Sequence, residues 1–171
     1  MATSAKAKAI GQRGKFAEKE VEKLFSHLND RVLNFAYERL PDARSAGGRL
    51  KAQLCDFLAW WQYCGGERGE DISISYQIEV KEIAHAFRLP RDKLGQLPKL
   101  RKIRRAGGVG IVIIYHTSTE MWRAIPLGFF NGEAPPSWDL SGVPKYASLA
   151  EALNTQITMF PYVATPLKEI K

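Results

Sequence analysis

Two stretches of the chain repeat their hydrophobic residues at the spacing of a helix. Over residues 14–28, "GKFAEKEVEKLFSHL" sets apolar residues among charged ones and predicts an amphipathic first helix. Its apolar face consists of Phe16, Val21, Leu24, Phe25 and Leu28. A second helix is predicted where apolar residues recur at intervals of three, at Leu94, Leu97, Leu100 and Ile103. Pro98 leaves the start of this helix open, because proline has no N–H to donate in a helix interior.

Between and after these helices the pattern changes to that of strands. Alternating or continuous apolar runs predict strands over residues 32–37, 55–63, 76–84 and 108–116, and "MWRAIPL" is expected to pair with the last of them. The order of helix, strands, helix and strands predicts an α/β fold with a mixed central β-sheet flanked by helices. The length of 171 residues fits one domain with a sizeable core.

The strand "YQIEVKEIA" carries two charged residues where a buried face is expected. Glu79 and Lys81 are two positions apart, so they point to the same face of the strand. Taken alone, this spacing indicates no more than a surface ion pair, which contributes about 0–1 kcal/mol. Glu169 and Lys171 have the same spacing at the end of the sequence.

A third ionisable residue makes the pattern more specific. Asp56 opens the apolar strand that precedes the Glu79 strand, and the residues between them form a hairpin-length excursion that brings the two strands side by side. Two carboxylates and a lysine then converge. Carboxylates hold Mg²⁺, and the metal activates water and neutralises phosphate charge, while an ammonium orients the water. The combination predicts metal-dependent phosphodiester hydrolysis.

Positive charge is concentrated in two segments. The net charge is +7, yet residues 1–17 and 88–105 together contain 12 basic residues and 1 acid. An excess of this size favours a polyanionic partner, with nucleic acid first, over a merely solvated basic face.

Targeting signals and cysteines bear on the location of the protein. We find no apolar run of the ~18 residues that a membrane span needs and no signal-peptide core, and therefore predict a cytoplasmic protein with no membrane partner. Cys55 and Cys64 have no second pair with which to complete a zinc site, so we interpret them as reduced structural thiols.

The motifs, in order, resemble a known family. The segments "GKFAEKEVEKLF", "RSAGG", "CDFLAWW", "IEVKE", "LPRDKLGQLPKLRKIRRAGGVGIVIIYH" and "MWRAIP" follow the motif series of the archaeal-type Holliday-junction resolvases of the PD-(D/E)XK nuclease superfamily, over about residues 11–127. The resemblance implies a restriction-endonuclease-like core assembled as a homodimer on branched DNA, with Mg²⁺ as cofactor and Mn²⁺ as a substitute.

The resemblance also implies roles for individual residues. The catalytic residues would be Glu18, Asp56, Glu79 and Lys81. The metal ligands would be Asp56, Glu79, Glu18 and the backbone carbonyl of Val80. Together with the basic segments, it implies DNA contacts by Lys15, Arg44, Ser45, Lys99, Arg101, Lys102 and Arg105.

Some positions depart from the family pattern or compete for a role. Glu20 is a weaker alternative to Glu18, and Pro41 with Asp42 is a literal Pro-Asp that competes with Asp56, although it is typical of a turn. Pro98 interrupts the second helix of the pattern. We divide the chain into a basic N-terminal arm (1–13), the nuclease domain (14–127) and a C-terminal extension (128–171) of unknown role, expected to pack on the same domain.

These features predict a structure-selective endonuclease that resolves four-way DNA junctions by paired cuts. Two alternatives stay open: another nuclease of the superfamily acting on flaps, ends or duplex, and a catalytically silent DNA-binding module. The three histidines are too scattered to suggest a site, and of Trp60 and Trp61 at least one is expected in the core. Gly107 and Gly108 are expected to cap a helix and not to bind phosphate.

Overall fold

The computed structural model describes residues 3–41, 54–63 and 71–157, with residues 3–15, Tyr63 and Ile157 described by their backbone alone. The helices are α1 (Thr3–Arg31), α2 (Leu97–Arg105) and α3 (Leu149–Ile157). The strands are β1 (Phe35–Arg39), β2 (Phe57–Tyr63), β3 (Ile72–Ile83), β4 (Arg88–Pro90), β5 (Val109–His116), β6 (Met121–Pro126) and β7 (Ser137–Asp139). In this part of the chain no helix is long and apolar enough to span a membrane.

Five of the strands form one mixed sheet in the order β1-β2-β3-β5-β6. The pairs β1/β2, β2/β3 and β5/β6 are antiparallel, and β3/β5 is parallel. Parallel neighbours need a crossover, and α2 lies within the connection from β3 to β5. The predicted α/β fold with a mixed central sheet flanked by helices is confirmed, as is the pairing of "MWRAIPL" with β5.

The sheet separates two hydrophobic cores. One face packs against α1 and α3, and the other against α2 and a small sheet in which β4 pairs with β7. Val21, Phe25 and Leu28 of α1 are buried as the helical spacing predicts. Phe16 was expected with them but is 47% exposed, and its ring lies against Tyr115 instead. The buried position beside it is taken by Ala17.

The first helix and first strand differ from their predicted bounds. Helix α1 begins at Thr3, so the backbone of the predicted basic arm continues into the helix, and it ends at Arg31. A turn follows, closed by a hydrogen bond from Phe35 N to Val32 O of 3.1 Å. The strand predicted over 32–37 therefore begins only at Phe35, and Leu33 is fully exposed in the turn.

Helix α2 accommodates its proline and ends on its glycines. Pro98 lies in the first turn of α2, where a helix N–H has no intrahelical partner. The expectation that Pro98 interrupts this helix is therefore wrong. At the other end Gly108 N donates to Ile103 O and Gly107 N to Arg104 O, which is a Schellman cap. Gly107 has φ of +90°, which only glycine adopts readily. The predicted helix cap is confirmed.

The residues after β6 pack on both faces of the sheet. Trp138 of β7 and Leu140 belong to the core beneath α2, while Ala152 and Leu153 of α3 belong to the core beneath α1. An isolated bridge between Trp122 and Tyr146 joins this segment to the edge of β6. The described part of the predicted extension is therefore continuous with the two hydrophobic cores of the sheet.

A buried polar pair ties two loops to the sheet. His116 of β5 and Arg123 of β6 are both fully buried. Arg123 donates to Ala86 O (2.6 Å), Val143 O (3.0 Å) and His116 Nε2 (2.7 Å), while His116 Nδ1 lies 2.8 Å from His85 O. This network assigns the proton of a neutral imidazole to Nδ1. Burial lowers the pKa of His116, and the charges of Arg123 and Lys145 lower it further.

We expect the contribution of His116 to stability to be lost below neutral pH. Its pKa is lowered in the folded state, so its contribution is present above the unfolded value of about 6.5 and is lost as pH falls through the folded value. The pKa of Glu79 is raised on folding and acts in the opposite sense over this range, so the quantity to measure is the free energy of unfolding of the wild type minus that of His116→Gln, by urea denaturation from pH 7.5 to 5. This difference should decrease as pH falls, whereas the difference between the wild type and His85→Gln, which alters an exposed histidine, should stay constant. Equal pH dependence in all three proteins would contradict this account.

Candidate active site

The β2/β3 pairing places Asp56 beside the charged positions of β3. Phe57 pairs with Ile78, and Asp56 N donates to Ile78 O at 3.0 Å. The side chain turns back on the same strand, so that Asp56 Oδ2 accepts a hydrogen bond of 2.7 Å from Val80 N. Asp56 is therefore held at the end of β2 by both its backbone and its carboxylate.

Glu79 and Lys81 share a face of β3, as the alternation predicts, and they are in contact. Lys81 Nζ forms an ion pair with Glu79 Oε1 and lies 4.0 Å from Asp56 Oδ2. Glu79 is only 1% exposed, whereas the Lys81 and Asp56 side chains are 21% and 17% exposed. The three groups predicted to converge are thus brought together at one end of the β2/β3 pair.

Gln96 is a fourth member of this group that the sequence analysis missed. It caps the N-terminus of α2, and its side-chain amide lies against both carboxylate oxygens of Glu79. The orientation of the amide is assigned from this contact, with its nitrogen donating to the carboxylate. No motif singles out a glutamine before a helix, so only the packing of α2 over the sheet identifies it.

The cations near the cluster only partly offset the repulsion among its carboxylates and their burial. Burial raises the pKa of Glu79 from 4.5 to about 7; Lys81 lowers it, and Asp56 and Glu18 raise it further. Burial and Asp56 likewise raise the pKa of Glu18, while Arg39 and Lys81 lower it. Carboxylates that raise one another's pKa values are stabilised when a cation approaches them.

Glu18 reaches the cluster from α1, but a salt bridge holds it. Arg39 Nη2 lies 2.8 Å from Glu18 Oε2, and the same guanidinium also pairs with Glu22. Glu20, the weaker alternative, pairs with Lys23 at 2.6 Å instead. Of the two glutamates, Glu18 is the one whose charge affects Asp56 and Glu79. Arg39 was not predicted to belong to the site.

The side chains of the cluster are of the chemical type that binds Mg²⁺. Asp56 and Glu79 offer carboxylate oxygens, the ligands that Mg²⁺ prefers, and Glu18 is a third carboxylate within electrostatic range. Among the described residues no group of three or more His, Cys, Asp or Glu side chains stands close enough to hold a metal ion as arranged. In this arrangement Lys81 pairs with Glu79, and Arg39 pairs with Glu18.

The predicted DNA contacts divide into described and undescribed positions. Lys99, Lys102 and Arg105 are exposed on α2, and Arg101 is half-buried there. The structure does not describe Arg44, Ser45 or the side chain of Lys15. Asp42, the alternative to Asp56, also lies outside the described residues. Because Gln96 at the start of α2 contacts Glu79, the basic residues of α2 lead away from the acidic cluster along one helix.

The remaining candidates are placed as follows. Trp61 is buried and Trp60 is 37% exposed, so one of the adjacent tryptophans is in the core, as predicted. Cys55 is a buried free thiol whose pKa burial raises to about 12, which makes it unreactive at neutral pH. Cys64 lies outside the described residues.

Comparison with known proteins gives likenesses among solved structures alone. No family model matches the chain, and no curated protein matches it. Among solved structures, the chain is similar to Hjc of Archaeoglobus fulgidus, described as a Holliday junction resolvase from an archaeal hyperthermophile. The two share 20% identity over 82% of this chain and 98% of that chain, with a TM-score of 0.48. A likeness of this degree transfers neither substrate nor activity.

Proposed function

We propose that this protein is a Mg²⁺-dependent endonuclease that cuts four-way DNA junctions. The proposal is supported chiefly by one observation: the buried carboxylate of Glu79 contacts Lys81, and Asp56 Oδ2 lies 4.0 Å from the same ammonium. One lysine leaves these two carboxylates with an excess of negative charge, which the burial of Glu79 disfavours. A site for a divalent cation makes that arrangement useful.

Each residue of the cluster has a role in this chemistry. A bound Mg²⁺ would supply an activated water and would neutralise charge on the phosphate. Asp56 and Glu79 would hold the cation together with the Val80 carbonyl, and Glu18 would be a further acid of the site. Lys81 would orient water and stabilise negative charge on the phosphate. Gln96 keeps the Glu79 carboxylate in one orientation.

The basic segments and a two-fold assembly complete the proposal. Phosphate contacts by Lys15, Lys99, Arg101, Lys102 and Arg105 provide affinity for any DNA, and Arg44 with Ser45 contacts the scissile phosphate. A homodimer presents two copies of the site, which matches the two-fold symmetry of a junction. Selectivity then comes from shape, since a junction opens easily whereas bending a duplex costs several kcal/mol.

A plasmid with an extrudable cruciform tests substrate, metal and assembly together. With Mg²⁺ we expect linear product, because a dimer makes both cuts before it dissociates, and no cutting of the relaxed plasmid or in EDTA. Accumulation of nicked circles would contradict the paired dimer. Cutting of flaps or duplex ends in preference to the cruciform would favour the related nuclease activities. Binding with no cutting under any divalent cation would leave a DNA-binding module.

A further inference from the structure

A cleft lined by arginines lies between α2 and the segment that follows β6. Its volume is about 570 Å³, and it is lined by Arg101, Arg104, Arg105, Asn131 and Gly132. Three of these five residues are arginines of α2, and Arg101 lies about one helical turn before Arg104 and Arg105. Asn131 and Gly132 belong to the predicted C-terminal extension, to which the motif series assigned no role.

Neutral acceptors hold two of the three guanidinium groups in place. Arg101 Nε donates to the backbone oxygen of Phe130 at 3.0 Å, and its Nη2 contacts the same oxygen. Arg104 Nη1 donates to the side-chain oxygen of Asn131. A carbonyl and an amide fix the position of a guanidinium without neutralising it. The two acceptors are on the last residue of the turn Leu127–Phe130 and on the residue that follows it.

The positive charge of the cleft is not balanced by its walls. The ion pairs formed among the described residues involve other side chains, on α1, β1 and β3 and at Asp56, just before β2. Asp92 and Glu133 line a neighbouring groove and not this cleft. Arg101 also lines that groove, so it is shared between the two, whereas Arg104 and Arg105 line the cleft alone. Three arginines, two of them with positioned guanidinium groups, and no carboxylate in the lining form a site for a phosphate group, which accepts paired N–H donors from arginine.

The helix geometry relates the cleft to the candidate active site. Gln96, against Glu79, precedes Arg104 by eight residues, so the two are about 12 Å apart along the axis of α2. Phosphates of one strand of B-form DNA follow one another at an axial rise of about 3.4 Å, so a strand that enters the acidic cluster has further phosphates within such a distance. A strand whose scissile phosphate lies at the acidic cluster can therefore place a second phosphate in the cleft.

We propose that the arginine cleft binds a backbone phosphate of the DNA substrate that lies near the one that is cut and is distinct from it. Arg104 and Arg105 contact the phosphate, and Asn131 is a positioning residue that holds Arg104 for it. The C-terminal extension thereby forms one wall of the DNA-binding surface. This inference rests on the proposed function for the identity of its ligand, and its test does not depend on cleavage.

The test measures binding of a labelled junction and a labelled duplex by fluorescence anisotropy in EDTA, over a series of salt concentrations. We expect Arg104→Gln to weaken both complexes about tenfold and to reduce the slope of log affinity against log salt by about 0.9, the value for one lost phosphate contact. Asn131→Asp places a carboxylate on Arg104 and should have the same effect. Asn131→Ala keeps the charge of the cleft and should weaken binding with the slope unchanged.

Lys23→Gln is the matched control, because it removes one positive charge from α1, where Lys23 pairs with Glu20. Equal thermal midpoints of all variants would separate loss of a contact from loss of folding. The cleft proposal is overturned if Arg104→Gln and Asn131→Asp bind with wild-type affinity and slope. If the same variants also cut junctions normally, only the cleft proposal would fail, and the proposed nuclease activity would stand. Conversely, a wild-type protein that never cuts, yet shows these binding effects, would retain the cleft and lose the nuclease.

Discussion

The Glu79→Gln variant should bind four-way junctions as the wild type does and cut them about 10³-fold more slowly or not at all. Glutamine has the volume of glutamate and keeps one oxygen, so packing against Lys81 and Gln96 is preserved. It cannot supply the negative charge that holds Mg²⁺, a contribution of several kcal/mol to the transition state. Single-turnover cleavage and anisotropy on the same junction measure the two effects.

Glu151→Gln is the control for loss of one acid, because Glu151 is exposed on α3, far from β3 in the chain. Cutting by Glu79→Gln at the wild-type rate under saturating Mg²⁺ would remove Glu79 from the site.

The same substitution should stabilise the metal-free protein at alkaline pH. The pKa of Glu79 rises from 4.5 to about 7 on folding, so its proton favours the folded state below pH 4.5, and this stabilisation is lost as pH rises through 7. Glutamine does not titrate. In EDTA at pH 8 the thermal midpoint of Glu79→Gln should exceed that of the wild type, and the difference should shrink toward pH 5. A lower midpoint at pH 8 would show that the charged pair with Lys81 outweighs its burial.

The Lys81→Met variant should lose cleavage by about 10²–10³-fold, since a positioned cation that stabilises developing charge contributes that much. It should also lose stability in a pH-dependent manner. Without Lys81, the buried charge of Glu79 has no ammonium partner, and breaking a buried pair is strongly destabilising. The free energy of unfolding should therefore drop at pH 8 and approach the wild-type value at pH 5, where Glu79 is protonated.

Lys19→Met, at an exposed position of α1, serves as the control for loss of one lysine. Retention of full cleavage by Lys81→Met would assign Lys81 a structural role only. Equal destabilisation at pH 5 and pH 8 would mean that Lys81 contributes through packing of its side chain and not through its charge.

Local periodicity explains which parts of this protein could be predicted. Side chains two apart on a strand share a face, so the contact of Glu79 with Lys81 follows from spacing alone once β3 is identified. A hairpin connection makes neighbouring strands antiparallel, which places Asp56 beside Glu79. The glycine end of α2 and the buried face of α1 likewise depend on residues within a few positions of one another.

The wrongly predicted ends of helices and strands also have causes in the nearby sequence. The alternation of Leu33 with Phe35 resembles a strand, but the helix before it continues to Arg31 and needs a turn to reverse the chain. Pro98 was judged as an interior residue because the helix start was unknown, whereas in the first turn its missing N–H loses nothing. Periodicity identifies elements more securely than it identifies their ends.

The tertiary structure alone decided which distant residues complete each site. Arg39 pairs with Glu18 across 21 residues, and Arg101 donates to Phe130 across 29. Gln96 contacts Glu79 only because α2 packs beneath the sheet. No spacing rule connects such positions, since their approach depends on how whole elements pack. The sequence by itself determined the chemistry of the strand-borne acids and lysine, and the packing of α1, α2 and the C-terminal segment determined which partners surround them.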